Sequence, residues 1–169
     1  MSQQQLIPEE PCFLLDNNIV LEFTHPARAY PIKKFPELHK QLERLINEGK
    51  IKSVREVKRE LEAGQTKNPD PPLEWCERHD NIFGFDELTE QYMPGVAPHF
   101  EIDILKMLRP YADPYLVAHS LAHSSIIVTN ESSTPNLNKP KIPQIAAKLG
   151  ANHTDIWNFF KETELINYI

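Results

Sequence analysis

Short apolar runs, each closed by a turn-forming or polar residue and separated by stretches of helical periodicity, constrain this chain more than any other feature. Cys12-Phe13-Leu14-Leu15 lies between Pro11 and Asp16-Asn17-Asn18, Ile51 to Ser53 follows Gly49 and Lys50, and the β-branched run Ser125 to Thr129 precedes Asn130-Glu131. Runs of this length bounded by such residues read as buried strands.

The intervening segments read as helices. A short one begins at Ile19, Val20, Leu21 and Phe23 and must end near His25-Pro26, because proline disfavours helical geometry in the residue before it. From Phe35 to Glu48, Leu38, Leu42, Leu45 and Ile46 mark one helical face, and Gly49 follows as a stop. Val54, Val57 and Leu61 form the stripe of the next helix, with Ser53 as its cap, Glu56 as the capping-box partner and Gly64 as its end. After the proline-rich loop Asn68 to Pro72, a helix is expected over Leu73 to Arg78, and a strand or loop over Asn81 to Phe85. Asp86 caps a helix through Leu88 and Tyr92 that Pro94 to Pro98 should interrupt, and Ile102, Leu105, Met107 and Leu108 resume the pattern. Asp113-Pro114 opens a helix through Ala122, with aspartate at the cap and proline in the first position. Ile142 to Leu149 is a helix stopped by Gly150, Asn152 to Thr154 a short strand or turn, and Asp155 to Thr163 the last helix.

Strands alternating with helices imply βαβ units and a sheet covered on both faces. The expected class is α/β, a three-layer α/β/α sandwich around a parallel sheet of about four to five short strands. With 169 residues, no internal repeat and no Gly/Ser linker, residues 1–169 read as one domain, with 1–10 as a flexible N-terminus. Two cysteines are too few for a disulfide framework, no apolar run approaches the ~18 residues of a membrane span, and MSQQQLIPEEP lacks the features of a signal peptide. The expectation is a cytoplasmic protein with no membrane partner.

The formal charge of −6 argues against a protein that coats nucleic acid by charge alone. The distribution matters more. Asp16 follows the first strand and Glu131 follows Ser125–Thr129, so both carboxylates emerge on the edge where open parallel sheets place their ligands. Glu60 borders the buried stripe of its helix, where a carboxylate needs a partner, and a metal ion shared with Asp16 is one. Asp113 opens the helix that leads into the Ser125–Thr129 strand. Oxygen donors without obligatory histidine or cysteine match Mg²⁺ or Mn²⁺, and such a set suits phosphodiester hydrolysis. Each acid also has a plain structural role available: turn, cap, loop residue or surface pair.

These residues carry a family resemblance. FLLDNNIVLE, residues 13 to 22, resembles the first strand and turn of PIN-domain ribonucleases. VREVKRELEAG, residues 54 to 64, resembles the helix bearing that family's glutamate, and ADPYLVAHSLAHSSIIVTNE, residues 112 to 131, its third acidic block and following strand. The matches come in family order and look closest to a PIN-like group of toxins related to the VapC type. The resemblance implies a metal-dependent endoribonuclease, the toxin of a type II toxin–antitoxin pair, with RNA as substrate, a cognate antitoxin protein as partner and a homodimer as assembly. Asp16, Glu60, Asp113 and Glu131 then take the catalytic and metal-holding positions, with Asn18, Thr129 and Asn130 supporting them. Two departures stand out: Asn17 replaces the usual hydroxyl residue, and Glu131 stands where many relatives have aspartate, reaching a methylene further. A catalytically weakened scaffold acting through protein binding is the alternative.

Lys33 to Glu60 holds nine Lys and Arg against five acids, and Lys52, Arg55, Lys58 and Arg59 are its candidates for contacting RNA phosphates, against a plainly solvated helix face. His119 and His123 have the i, i+4 spacing of half a zinc site, but without the HExxH glutamate they read as a helix face. Cys12 reads as a small buried hydrophobe and Cys76 has no nearby motif to make it a nucleophile, Asp155 reads as a cap, with an approach to the acidic cluster as the lesser alternative, and Trp75 and Trp157 read as core or interface. A phosphatase reading fails because Asp16-Asn17-Asn18 lacks the second aspartate of D-x-D.

Overall fold

In the computed structural model, which describes residues 10–65, 69–101, 110–132 and 140–169, five parallel strands form one sheet in the order β3-β2-β1-β4-β5. They are β1 (Phe13–Leu15), β2 (Ile51–Val54), β3 (Phe83–Gly84), β4 (Ile126–Val128) and β5 (Asn152–Thr154). The described helices are α1 (Asn17–Thr24), α2 (Pro36–Asn47), α3 (Arg55–Ala63), α4 (Pro71–Arg78), α5 (Glu87–Val96), α6 (Asp113–His123), α7 (Ile142–Leu149) and α8 (Ile156–Glu162). This is the expected three-layer α/β/α sandwich. The helix expected over 102–109, most of the 1–10 segment and Asn68 lie outside the described residues.

Every residue of β1 is buried, as a central strand covered on both faces requires. Leu14 and Leu15 are fully inaccessible and pack into a core with Ile19, Phe23, Leu42, Val57, Leu116, Ile127, Phe159 and Phe160. The register Phe13↔Ile51 and Phe13↔Ile126 aligns the carboxyl ends of the three central strands. The sheet edges are blunted: β3 has two residues, and β5 is largely exposed and polar.

Three local expectations change. Ser53 is not a cap; it is an inward-facing residue of β2, and its hydroxyl donates to the Leu15 carbonyl at 2.7 Å, leaving Val54 in the cap position. Pro94 does not interrupt α5, which continues to Val96, because near the carboxyl end a missing N–H forfeits a single helical bond. Asp113 is the first residue of α6 itself, Ala112 occupies the cap position, and no side chain caps the helix. Gly150 ends α7 with φ +79°, a conformation that favours glycine.

Candidate metal centre

From β1 the chain builds outward to β2 and β3 on one side, and β4 and β5 lie on the other. The strand order therefore reverses between β1 and β4, and such a switch point opens a crevice at the carboxyl ends of the strands. Asp16 leaves β1 at that crevice and Glu131 follows β4 into it. Asp113 arrives from the start of α6. One carboxylate oxygen from each of Asp16, Asp113 and Glu131 lies within 4.8 Å of the others.

Asp16 is 2 % exposed and caps α1, accepting from the Asn17 backbone N–H at 2.6 Å. Its second oxygen accepts from Thr129 Oγ1 at 2.8 Å and from Asn18 Nδ2 at 3.0 Å. Asn18 also accepts from the Asn130 backbone N–H at 3.1 Å, and Thr129 Oγ1 accepts from the Glu131 N–H at 3.2 Å. Asn18, Thr129 and Asn130 thus join the turn after β1 to the turn after β4.

Glu60 reaches the centre from α3 but stands outside the trio of oxygens. Its partners are hydrogen-bond donors: Asn17 Nδ2 at 2.6 Å and the Ala112 backbone N–H at 2.6 Å. The Ala112 bond ties α3 to the start of α6. Glu131 Oε2 accepts from the Ile142 N–H, the first residue of α7, at 3.0 Å. The amino ends of α1, α6 and α7 therefore all meet these carboxylates, and their exposed N–H groups offset negative charge.

That compensation is incomplete. Burial, opposed by the Thr129 hydrogen bond, raises the Asp16 carboxyl from 3.8 to about 6. Burial raises Glu60 to about 7, with the Asp16 and Glu131 charges adding to it. Asp113 rises to about 8, through burial first and then repulsion from Asp16, Glu131 and Glu60. The Tyr111 side chain is hydrogen-bonded to Asp113, and its own pKa is raised by burial and by that acid. Among the described residues, no lysine or arginine is a leading cause of the shifts of Asp16, Glu60 or Asp113. Crowded carboxylates form a hard-oxygen donor set of the kind that binds Mg²⁺ or Mn²⁺. The residues present fit such an ion.

The basic candidates are mostly engaged elsewhere. Arg55 pairs with Glu56 at 2.8 Å and lies 4.0 Å over the Phe85 ring, Lys58 pairs with Asp80 at 2.7 Å, and Arg59 lies 3.8 Å from Glu56. Lys52 lines a cleft with Glu10, Glu48 and Asp86, away from Asp16, Asp113 and Glu131. Asp155 caps α8 and shares a cleft of about 410 Å³ with Glu131 and Thr129. Cys76 is buried and its thiol is pushed up to about 12, as suits an inert hydrophobe, whereas Cys12 is only half-buried. Trp75 is core and Trp157 is exposed. Sequence reasoning missed Tyr111 and the Ala112 N–H. A tyrosine before Ala-Asp-Pro carries no distinguishing pattern, and a backbone donor carries none at all.

The model of a family described as a domain of unknown function, DUF4411, matches residues 13–166. No curated protein and no solved structure gives a significant match.

Proposed function

For a chain that belongs to the DUF4411 family, we propose the function that its acidic centre supports best: a Mg²⁺- or Mn²⁺-dependent endoribonuclease, the toxin of a type II toxin–antitoxin pair. The observation that carries it is the convergence of Asp16, Asp113 and Glu131 within 4.8 Å at the switch point of a parallel sheet. The order of the acids along the chain, similar to that of PIN-domain ribonucleases, supports RNA as the substrate. An antitoxin partner, a homodimer and a cytoplasmic setting belong to the same reading.

Asp16, Asp113 and Glu131 would hold the ion. An ion held there would supply positive charge against the negative charge of the phosphate and lower the pKa of water. Asn18 and Thr129 orient Asp16, and the Ile142 N–H orients Glu131. Glu60, held by Asn17 and Ala112 with a carboxyl near neutral pKa, is suited to accept a proton from the attacking water.

One observation favours a second reading, a weakened scaffold that acts by binding a partner: both Glu60 oxygens already have protein donors. Mn²⁺ titration calorimetry separates the two. A nuclease centre binds the ion at millimolar concentration or below and loses that binding in Asp16→Asn; a scaffold without a centre gives a flat isotherm.

A further inference from the structure

His119 and His123 stand one turn apart on α6 with ring centroids 4.5 Å apart, and Asp86 at the start of α5 faces both. His123 Nε2 lies 2.9 Å from Asp86 Oδ1, and His119 Nε2 lies 4.0 Å from Asp86 Oδ2. One ligand atom from each of the three lies within 4.8 Å of the others. We propose that Asp86, His119 and His123 form a second cation site, distinct from the acidic centre and suited to Zn²⁺ and similar borderline divalent ions.

His119 is built like a ligand. It is 8 % exposed, and its Nδ1 is fixed 2.8 Å from Ser125 Oγ, itself fully buried. That contact orients the ring, as partners of metal-bound imidazoles do. Its Nε2 faces Asp86 Oδ2 from 4.0 Å, beyond hydrogen-bond distance, and the His123 ring stands beside it with centroids 4.5 Å apart, so no direct bond to Asp86 closes off this nitrogen.

Asp86 is similarly prepared. Its oxygens accept from the Thr89 backbone N–H and from Thr89 Oγ1, each at 2.8 Å, which fixes the carboxylate while leaving lone pairs free. An ion about 2.1 Å from each of three donors, in tetrahedral geometry, requires donor separations near about 3.4 Å. One atom from each residue lies within 4.8 Å of the others, so small side-chain rotations bring the three to that separation. Two imidazoles and one carboxylate leave a coordination position open, and the nitrogen donors favour zinc over magnesium. The site borders a cleft of about 530 Å³. Cys12, Gly49 and Ser124 in its wall precede β1, β2 and β4, so the cleft opens at the amino ends of the strands, opposite the acidic centre. Lys50 in the same wall is paired with Glu10 and Glu48, which reduces its repulsion of a cation, while Lys52 adds some.

The inference does not depend on the proposed nuclease activity. The test uses the full chain in excess Mg²⁺, with Zn²⁺ followed by calorimetry and Co²⁺ by its visible absorption. His123 lies on the exposed end of α6, and asparagine can replace Asp86 as a helix cap, so His123→Asn and Asp86→Asn keep the fold, checked by circular dichroism. The wild type and the Asp16→Asn/Asp113→Asn double variant should bind one ion with equal affinity and show Co²⁺ ligand-field bands. His123→Asn and Asp86→Asn should weaken binding by about tenfold or more. Zn²⁺ binding that survives both substitutions, vanishes in the double acidic variant or is displaced by Mg²⁺ would overturn the site.

Discussion

Asn17 holds two carboxylates at once: its backbone N–H donates to Asp16 Oδ1 and its side-chain amide donates to Glu60 Oε2, each at 2.6 Å. The asparagine side chain is long enough to reach α3 from the turn after β1. Asn17→Ala keeps the backbone bond and releases Glu60. A hydrogen bond to a charged group contributes about 1.5–3 kcal/mol, so RNA cleavage in Mn²⁺ should slow about tenfold or more while Mn²⁺ affinity measured by calorimetry stays near that of the wild type. An unchanged cleavage rate would remove Glu60 from the reaction.

Without a divalent ion, stability should fall as pH rises. Asp16, Glu60 and Asp113 hold their protons up to about 6, 7 and 8 when folded, against 3.8, 4.5 and 3.8 in unperturbed chains. At these three carboxyls the folded state therefore binds more protons than the unfolded state between about pH 4 and 8; His39, His79 and His119, whose pKa values burial lowers from 6.5, oppose this at the acid end, so unfolding becomes easier most clearly above about pH 6.5. Thermal melts in EDTA should show a melting temperature declining from about pH 6.5 to pH 8. Added Mn²⁺ should restore more at pH 8 than at pH 5. An ion at a hundred times its Kd stabilises by about 2.7 kcal/mol, or about 5–10 °C for a domain of this size.

From the same repulsion, Asp113→Asn should stabilise the metal-free protein while weakening the centre. It removes the carboxyl with the largest upward shift, beside a Tyr111 hydroxyl that an amide can still engage. The melting temperature in EDTA at pH 8 should rise by several degrees and the Mn²⁺-induced increment should shrink. A lower melting temperature in EDTA would mean that Asp113 serves the fold and not an ion.

How far the site was legible follows from how local each signal is. β1 and Asp16 are plain because an apolar run ending in Asp-Asn-Asn is a property of adjacent residues. Asp113 was legible as a helix-start aspartate, but its shift from cap to first helical residue depends on Ala112 donating to Glu60, a contact spanning 52 positions. Ser53 carried every local mark of a cap, and the demand of the Leu15 carbonyl overrode it. His119 and His123 offered half a site by spacing alone. Their carboxylate, Asp86, lies 37 positions from His123 and enters only through the packing of α5 on α6.

Thr129 is the hinge of the support network, donating to Asp16 and accepting from the Glu131 N–H. Thr129→Val preserves shape while removing these two bonds and the one its hydroxyl accepts from Asn18 Nδ2, at a buried position. Loss of stability by about 1–3 kcal/mol is expected from stranded polar groups, measurable by urea denaturation in Mn²⁺. Thr129→Ser should recover most of it. Equal stability of all three proteins would remove Thr129 from the network.

The most direct measurement is cleavage of an end-labelled oligoribonucleotide by the full chain in Mn²⁺, with EDTA, Asp16→Asn and Asp113→Asn as comparisons. Water as nucleophile predicts Mn²⁺-dependent products without 2′,3′-cyclic phosphate ends, and loss of activity by at least about a hundredfold in both variants. Cleavage that persists in EDTA, or at the wild-type rate in both variants, would contradict a metal-dependent centre at Asp16, Asp113 and Glu131.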